Sequence, residues 1–465
     1  MAAGLHETGK YRMFKAFLNL WKVKELRTRL LFTMLIIVLV RVASNIPCPG
    51  VDPAALEAYI SKMAAGSDAG GLMAMIDIFS GGALAHFALG ALGIMPYITA
   101  SIILQLLVPV IPQLEKLSRQ GDTGRQQISQ YTRYLTIVVC LIQGIMVSMA
   151  MTDPTRLSLP AAPQGGLFVG NASWFVLVNT VVLTCTTMVF MWMGEQVTER
   201  GIGNGVSIII TINIISRLPH AVIELVQMAM QGETPDGTSF RPVQLLLLLA
   251  VFAVVTAATI LLSQGYRRVP IQMIRKTVGN QIANSSTYMP LKVNFANVMP
   301  IIFAGAIMMI SDFLFRYLGW QQMQVLFQHG GTCYMITEGL LILVFSYFWV
   351  ANQFNPIQIA DNLKAQGAYI PGITPGQATA DFLDSTMTRV TFGGAVFLMA
   401  LALFPMFLYS NFRIPFMVAQ FFGGTSLLIM VGVVLDTMRQ LESHLTMRHY
   451  DGFLKSGRLR GRSGM

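Results

Sequence analysis

The residues able to do chemistry are few, and their spacing serves no recognisable reaction. His6, His86, His220, His329, His444 and His449 are scattered without metal-ligand spacing, and no H-E-x-x-H pair occurs. GIGNG at 201–205 lacks the G-x-G-x-x-G spacing of a dinucleotide loop, and no G-x-x-x-x-G-K-[ST] phosphate loop is present. Cys48, Cys140, Cys185 and Cys333 show no CxxC spacing. Cys140 and Cys185 fall in apolar runs, where a thiol packs as a small apolar group, while a Cys48–Cys333 disulfide is conceivable but not required. No nucleophile signature stands out either, so neither enzymatic activity nor a cofactor or metal is expected.

What recurs instead is a proline in apolar surroundings. GIMPYITASII at 93–103 and NVMPIIFAGAI at 297–307, aligned on Met-Pro, share Met, Pro, Ile, Ala and the final Ile. A proline inside a helix removes one backbone bond and clashes with the preceding turn. The repeat therefore predicts a helix broken at Pro96 and again at Pro300.

The elements that hold these motifs follow from composition. The 465 residues are 54% hydrophobic and only 12% charged, too apolar for a water-soluble protein of this size. Apolar runs lie near 30–46, 83–111, 131–152, 173–194, 203–218, 243–263, 294–317, 338–354, 387–407 and 423–441. Each approaches the roughly 20 helical residues that cross a hydrocarbon core of about 30 Å. Barrel strands would alternate every second residue, so the expected fold class is an all-α polytopic membrane protein with ten transmembrane helices. The Met-Pro motif falls in the second run of the first five and the second of the last five. Five spans per half put the halves in opposite orientations, so two inverted five-helix halves are expected.

The expected domains are a basic amphipathic N-terminus (1–29), a first half (30–218), an external connection (219–242), a second half (243–441) and a basic tail (442–465). No small-residue cleavage site follows the first apolar run, so that run is expected to stay in the protein. With the N-terminus cytoplasmic, 25 of the 32 Lys and Arg fall on the inner side. The other seven are Arg41, Lys62, Arg156, Arg217, Arg241, Arg316 and Arg413. That bias puts both termini in the cytoplasm.

Between the first two runs, residues of about 60–80 are too polar and glycine-rich to span yet end in LMAMIDIF, as a short re-entrant element would. An external loop with an interfacial helix accounts for the stretch equally well. Two cytoplasmic loops are long, 264–293 and 355–388. The first alternates apolar and polar residues around Arg267, Arg268, Arg275 and Lys276, the pattern of a short hairpin presenting cations to a large anionic partner.

An ion-coupled secondary transporter with inverted repeats is the alternative. It requires charge at mid-bilayer. Here Arg41, Glu195, Asp312 and Asp436 lie toward span ends, where snorkelling or capping explains them.

At this point FSGGAL (79–84), ALGIMPYITASII (91–103), QYTRY (130–134), MWMGEQVTERGIGNG (191–205), PLKVN (290–294), FNP (354–356), PGITPG (371–376) and GGTSLLI (423–429) are all in view. In this order and at these spacings the chain resembles the SecY family, the channel-forming subunits of the Sec protein translocase, over nearly its full length. The resemblance implies a ten-helix clamshell around an hourglass channel in the bacterial inner membrane. Such a channel passes unfolded secretory polypeptides across the bilayer and releases apolar segments sideways into lipid, gated by the signal sequence and a partner. Implied partners are the small subunits SecE and SecG, the SecA motor, the ribosome, and signal sequences with their nascent chains.

The resemblance also implies site residues. The family's pore ring maps onto Ile94, Ile98, Val206, Ile210, Ile302 and Ile429, and its lateral gate onto the second and seventh spans with Pro96, Pro300, Gln105 and Asn294. The plug maps onto Met73, Met75, Ile76, Asp77, Ile78 and Phe79. Cytoplasmic docking falls to Arg267, Arg268, Arg275 and Lys276, with Lys364 offered as a substitute for an arginine the family carries elsewhere. That arginine belongs to P-G-I-R-P-G, which here reads with Thr374 in its place.

Overall fold

In the computed structural model the described residues are 24–52, 54–56, 59, 79–118, 120–154, 167–232, 242–273, 287–327, 331–412, 414 and 416–456. Each of the ten apolar runs overlaps a helix. These are α1 (Lys24–Asn45), α2 (Met95–Leu107), α4 (Asp122–Thr152), α5 (Ala172–Arg200), α6 (Gly205–Gln231), α7 (Pro242–Gln264), α8 (Met299–Tyr317), α10 (Thr332–Gln353), α12 (Gln377–Phe412) and α14 (Thr425–Ser456). Shorter helices fill in: α3 (Pro112–Ser118), α9 (Gln321–Leu326), α11 (Pro356–Ala365) and α13 (Phe416–Gly423). Among the described residues seven helical stretches are long and apolar enough to cross a membrane, or eight if α2 and α3, bent by 102°, are one span.

The Met-Pro motifs do not break helices; they begin them. Met95 and Pro96 open α2, and Met299 and Pro300 open α8. In the first turn an amide proton has no intrahelical acceptor, so proline loses nothing there and its fixed φ suits the helix. Residues 83–94, expected to be helical, form turns instead.

Helix faces divide by partner. On α1, Leu31, Met34, Leu35, Val38 and Val42 are exposed, as are Leu246, Val254 and Leu261 on α7. Such continuous apolar faces are stable only against lipid or another chain. Inside, hydroxyls that cannot reach water bond back along their own helices. Ser44, Thr136, Thr184, Thr259 and Ser346 each donate to the carbonyl four residues earlier, at 2.7 to 2.9 Å. The largest apolar cluster runs through α1, α2, α5, α6, α7, α8, α10, α12, α13 and α14, and takes in Val269 and Leu291 of the loop at 264–293.

One small sheet lies outside the bundle. β1 (Tyr266–Met273) pairs antiparallel with β2 (Thr287–Lys292), from Tyr266 opposite Lys292 to Ile271 opposite Thr287. This is the hairpin its alternation predicts. A third strand, β3 (Ala368–Tyr369), adds to the other edge of β1, giving the order β2-β1-β3 and joining the two long loops.

Candidate pore constriction

The six residues expected to form the ring come from four helices. Ile94 caps α2 and accepts the Ile98 N–H at 3.2 Å, which stacks the two side chains one turn apart. Val206 and Ile210 lie one turn apart at the start of α6, Ile302 in the first turn of α8, and Ile429 in the second turn of α14. All six join one apolar cluster: Ile94, Ile98, Ile210 and Ile429 are buried in it, and Val206 and Ile302 pack on it half-buried. The start of α14 is set by a buried bond from Gln420 Nε2 to Thr425 Oγ1 at 2.8 Å.

The gate residues are not joined to each other. Gln105 Nε2 donates to Ser101 Oγ one turn back at 3.1 Å, while its Oε1 is buried without a partner. Asn294 is buried between the end of β2 and the start of α8. Pro96 and Pro300 are both buried at their helix starts. α2 packs chiefly on α4 and α8 chiefly on α10, while side chains of both enter the same large apolar cluster.

Met73, Met75, Ile76, Asp77 and Ile78 lie outside the described residues. Phe79, at their C-terminal end, packs on the central cluster, and its carbonyl accepts from Asn213 Nδ2 at 3.1 Å. Two residues on, the Gly81 carbonyl accepts from Arg41 Nη1 at 3.1 Å and Ser216 Oγ at 3.2 Å. Gly81 has φ 68°, and a Cβ there would meet the Asn213 Cα at 2.9 Å, so only glycine lets this turn lie against α6.

Arg267 and Arg268 are exposed on β1, and as neighbours in a strand they point to opposite faces of the sheet. Lys364 is exposed in the last turn of α11. Arg275 and Lys276 fall outside the described residues. The Tyr369 hydroxyl donates to Gln272 Oε1 at 2.9 Å, tying β3 to β1. Thr374 is exposed, and its carbonyl accepts from Thr379 Oγ1 at 2.9 Å.

Several contacts escaped the sequence reading. Glu195, expected to snorkel or cap, forms a bidentate pair with Arg133: Nε donates to Oε1 at 3.1 Å and Nη2 to Oε2 at 2.9 Å. Opposite charges, Arg133 inside one apolar run and Glu195 just past the end of another, were the available signal. Cys48, Cys140, Cys185 and Cys333 are all free thiols.

Comparison with known proteins bears on this arrangement. The model of the SecY family matches residues 88–438. The protein translocase subunit SecY of Chlamydia muridarum is 40% identical over 456 residues, covering 96% of this chain and 99% of the relative. That of Thermotoga maritima is 38% identical over 451 residues, covering 97% and 100%. Among solved structures, one described as a protein conducting channel matches with TM-score 0.59 at 17% identity, covering 91% of this chain and 93% of that one. Canine Sec61 in a ribosome-channel complex matches with TM-score 0.56 at 16% identity over the same shares. At such identities the structural likeness speaks for the fold alone.

Proposed function

The chain belongs to the SecY family, and from that premise we propose that it is a protein-conducting channel whose seal is the ring of Ile94, Ile98, Val206, Ile210, Ile302 and Ile429. One observation supports the reading: aliphatic side chains from four separate helices, at the positions the family uses, all belong to the one large apolar cluster of the bundle. An aliphatic collar excludes ions by dewetting, yet it makes no directional bond that a passing polypeptide must break. The alternative of an ion-coupled transporter finds no support among these relatives, which are named as translocase subunits or channels.

Gate opening is driven by the substrate. A signal sequence with an apolar core of about ten residues gains on the order of 3–6 kcal/mol on reaching lipid, enough to move a gate poised within a few kcal/mol. Because α2 packs chiefly on α4 and α8 chiefly on α10, lateral release is assigned to the passage between those two pairs. The plug's role is assigned, by the family resemblance alone, to residues of about 60–80.

As a multi-pass membrane protein the chain works in the bacterial inner membrane with both termini cytoplasmic. It associates there with SecE and SecG. SecA or a ribosome docks on the hairpin bearing Arg267 and Arg268, supported by Arg275, Lys276 and Lys364. The test is idle ion conductance of the reconstituted complex. Combined Ile98→Asn, Ile302→Asn and Ile429→Asn substitution should make the resting channel leak while precursor translocation continues. A triple variant as tight as wild type removes the ring.

A further inference from the structure

The corner from α5 into α6 is held by side chains from three helices. The Ile202 N–H donates to Thr33 Oγ1 of α1 at 3.3 Å, the Gly203 N–H to Gln440 Oε1 of α14 at 2.9 Å, and the Gly205 N–H to Thr198 Oγ1 of α5 at 2.9 Å. The Ser207 N–H then donates to the cap residue Asn204 at 3.2 Å. The Gly205 and Ser207 amides lie in the first turn of α6, where no intrahelical acceptor exists, and Ile202 and Gly203 lie in the corner before it; each is received by a side chain.

The same corner packs apolar groups and backbone against α14. Ile202 is buried with Leu26 of α1 and Leu441 of α14. Gly203 has φ 84°, and a Cβ there would stand 3.1 Å from Thr437 Oγ1, so glycine admits α14 at this distance. α6 begins two residues later and at once presents Val206 and Ile210. α14 presents Ile429 three turns before Gln440. The helix neighbour of Gln440, Arg439, stands over the Tyr266 ring at 5.7 Å, at the base of the hairpin bearing Arg267 and Arg268.

We propose that Gln440 is a positioning residue of the constriction: by receiving the Gly203 N–H it fixes α6 against α14 and so registers Val206 and Ile210 with Ile429. The inference rests on the ring reading above. It makes the registered α6–α14 seam the tight state of the pore, and slippage of that seam, which forfeits the bond, the leaking one. Through Arg439 on Tyr266, a load on the hairpin reaches the same helical turn.

The experiment is idle conductance of the purified full complex in planar bilayers. It uses Gln440→Asn, which keeps the carboxamide but withdraws it by one methylene, and Gln440→Glu, which keeps an acceptor at the original reach. The Ile98, Ile302 and Ile429 triple asparagine variant is the reference. The expected result is a leaking reference, a roughly two- to tenfold higher idle open probability for Gln440→Asn, the factor set by one net hydrogen bond, and wild-type tightness for Gln440→Glu. Melting temperatures should stay at the wild-type value. Gln440→Asn as tight as wild type beside a leaking reference overturns the proposal and leaves the ring standing. So does a Gln440→Glu variant that leaks as much as Gln440→Asn, or a lowered melting temperature without rescue, since those outcomes describe a merely structural residue. A tight reference overturns the ring reading itself, and this inference with it.

Discussion

Gly93 and Asn297 hold the same left-handed backbone conformation, φ 56° and 52°, each two residues ahead of a Met-Pro pair that starts a helix. The repeat is therefore structural as well as textual. It places Ile98 and Ile302 at the same position of their helices, with Ala100 and Ala304 two residues on, both fully buried. A Cβ at Gly93 would meet nothing nearer than 3.7 Å, so substitution there is penalised by φ and not by crowding. Gly93→Val should cost about 1–2 kcal/mol, whereas Gly93→Asn, copying the second repeat, should cost less because asparagine tolerates this region. Thermal unfolding in detergent ranks the two; equal melting temperatures contradict the argument.

Gln105 brings an unpartnered oxygen into the packed state. Its Oε1 is buried with no donor, while its amide nitrogen bonds only to Ser101 of the same helix. Leaving such a group unsatisfied costs about 1–3 kcal/mol. Gln105→Leu should therefore stabilise the closed arrangement and reduce transport of precursors with weakened signal sequences. Export of those precursors at the wild-type level or above would count against it.

The Arg133–Glu195 pair joins α4 to α5 with side chains 46% and 21% exposed. Solvent screening discounts a pair that open, and its bidentate geometry restores part of the loss. A double-mutant cycle with Arg133→Gln and Glu195→Gln should give a coupling of about 1 kcal/mol, smaller at high salt. Strict additivity of the two single changes would show that the helices are held by packing alone.

How much of this was legible in the sequence depended on the range of each interaction. The apolar runs were legible because crossing lipid takes an uninterrupted hydrophobic stretch, and each of the ten overlaps a helix. The start of α2 was misjudged because 83–94 is as apolar as a span. Hydropathy does not separate a helix from a buried turn, although Gly93, like Gly81 and Gly82 just upstream, has the positive φ of a turn. The ring residues came from resemblance; an isoleucine among isoleucines carries no local mark. Contacts between distant residues left none either: Thr33 and Ile202 lie 169 residues apart, Gln440 and Gly203 237. β3 has only two residues, too few to show alternation.

Cys48 should be inert where Cys333 reacts. Cys48 is 3% exposed in the cluster around Phe87 and Phe175, and burial pushes its thiol up to about 12. Thiolate is the reacting form, so at pH 8 only about one Cys48 in ten thousand is ready to react, rising about tenfold per pH unit. Cys333, half-buried at the start of α10, has no such shield. Maleimide labelling followed by peptide mapping should find Cys333 modified and Cys48 spared from pH 7 to 9. Prompt labelling of Cys48 would mean that its cluster opens on the reaction's timescale.

Thr374 is the departure from the family pattern with the clearest test. It is exposed in the turn before α12, and the turn uses its carbonyl, which holds the Thr379 hydroxyl at 2.9 Å. Its side chain is therefore replaceable without disturbing the start of α12. Thr374→Arg adds a cation to the loop whose strand β3 is hydrogen-bonded to β1, the strand of Arg267 and Arg268. Added positive charge near these arginines speeds encounter with an acidic partner and does so less as salt rises. In a reconstituted assay with a secretory precursor, Thr374→Arg should raise motor-dependent translocation a few-fold at low salt and little at high salt. No gain at low salt would mean the contact is already supplied elsewhere, and Lys364→Glu should then lower translocation on its own; if neither change alters the rate, this loop is not where the motor binds.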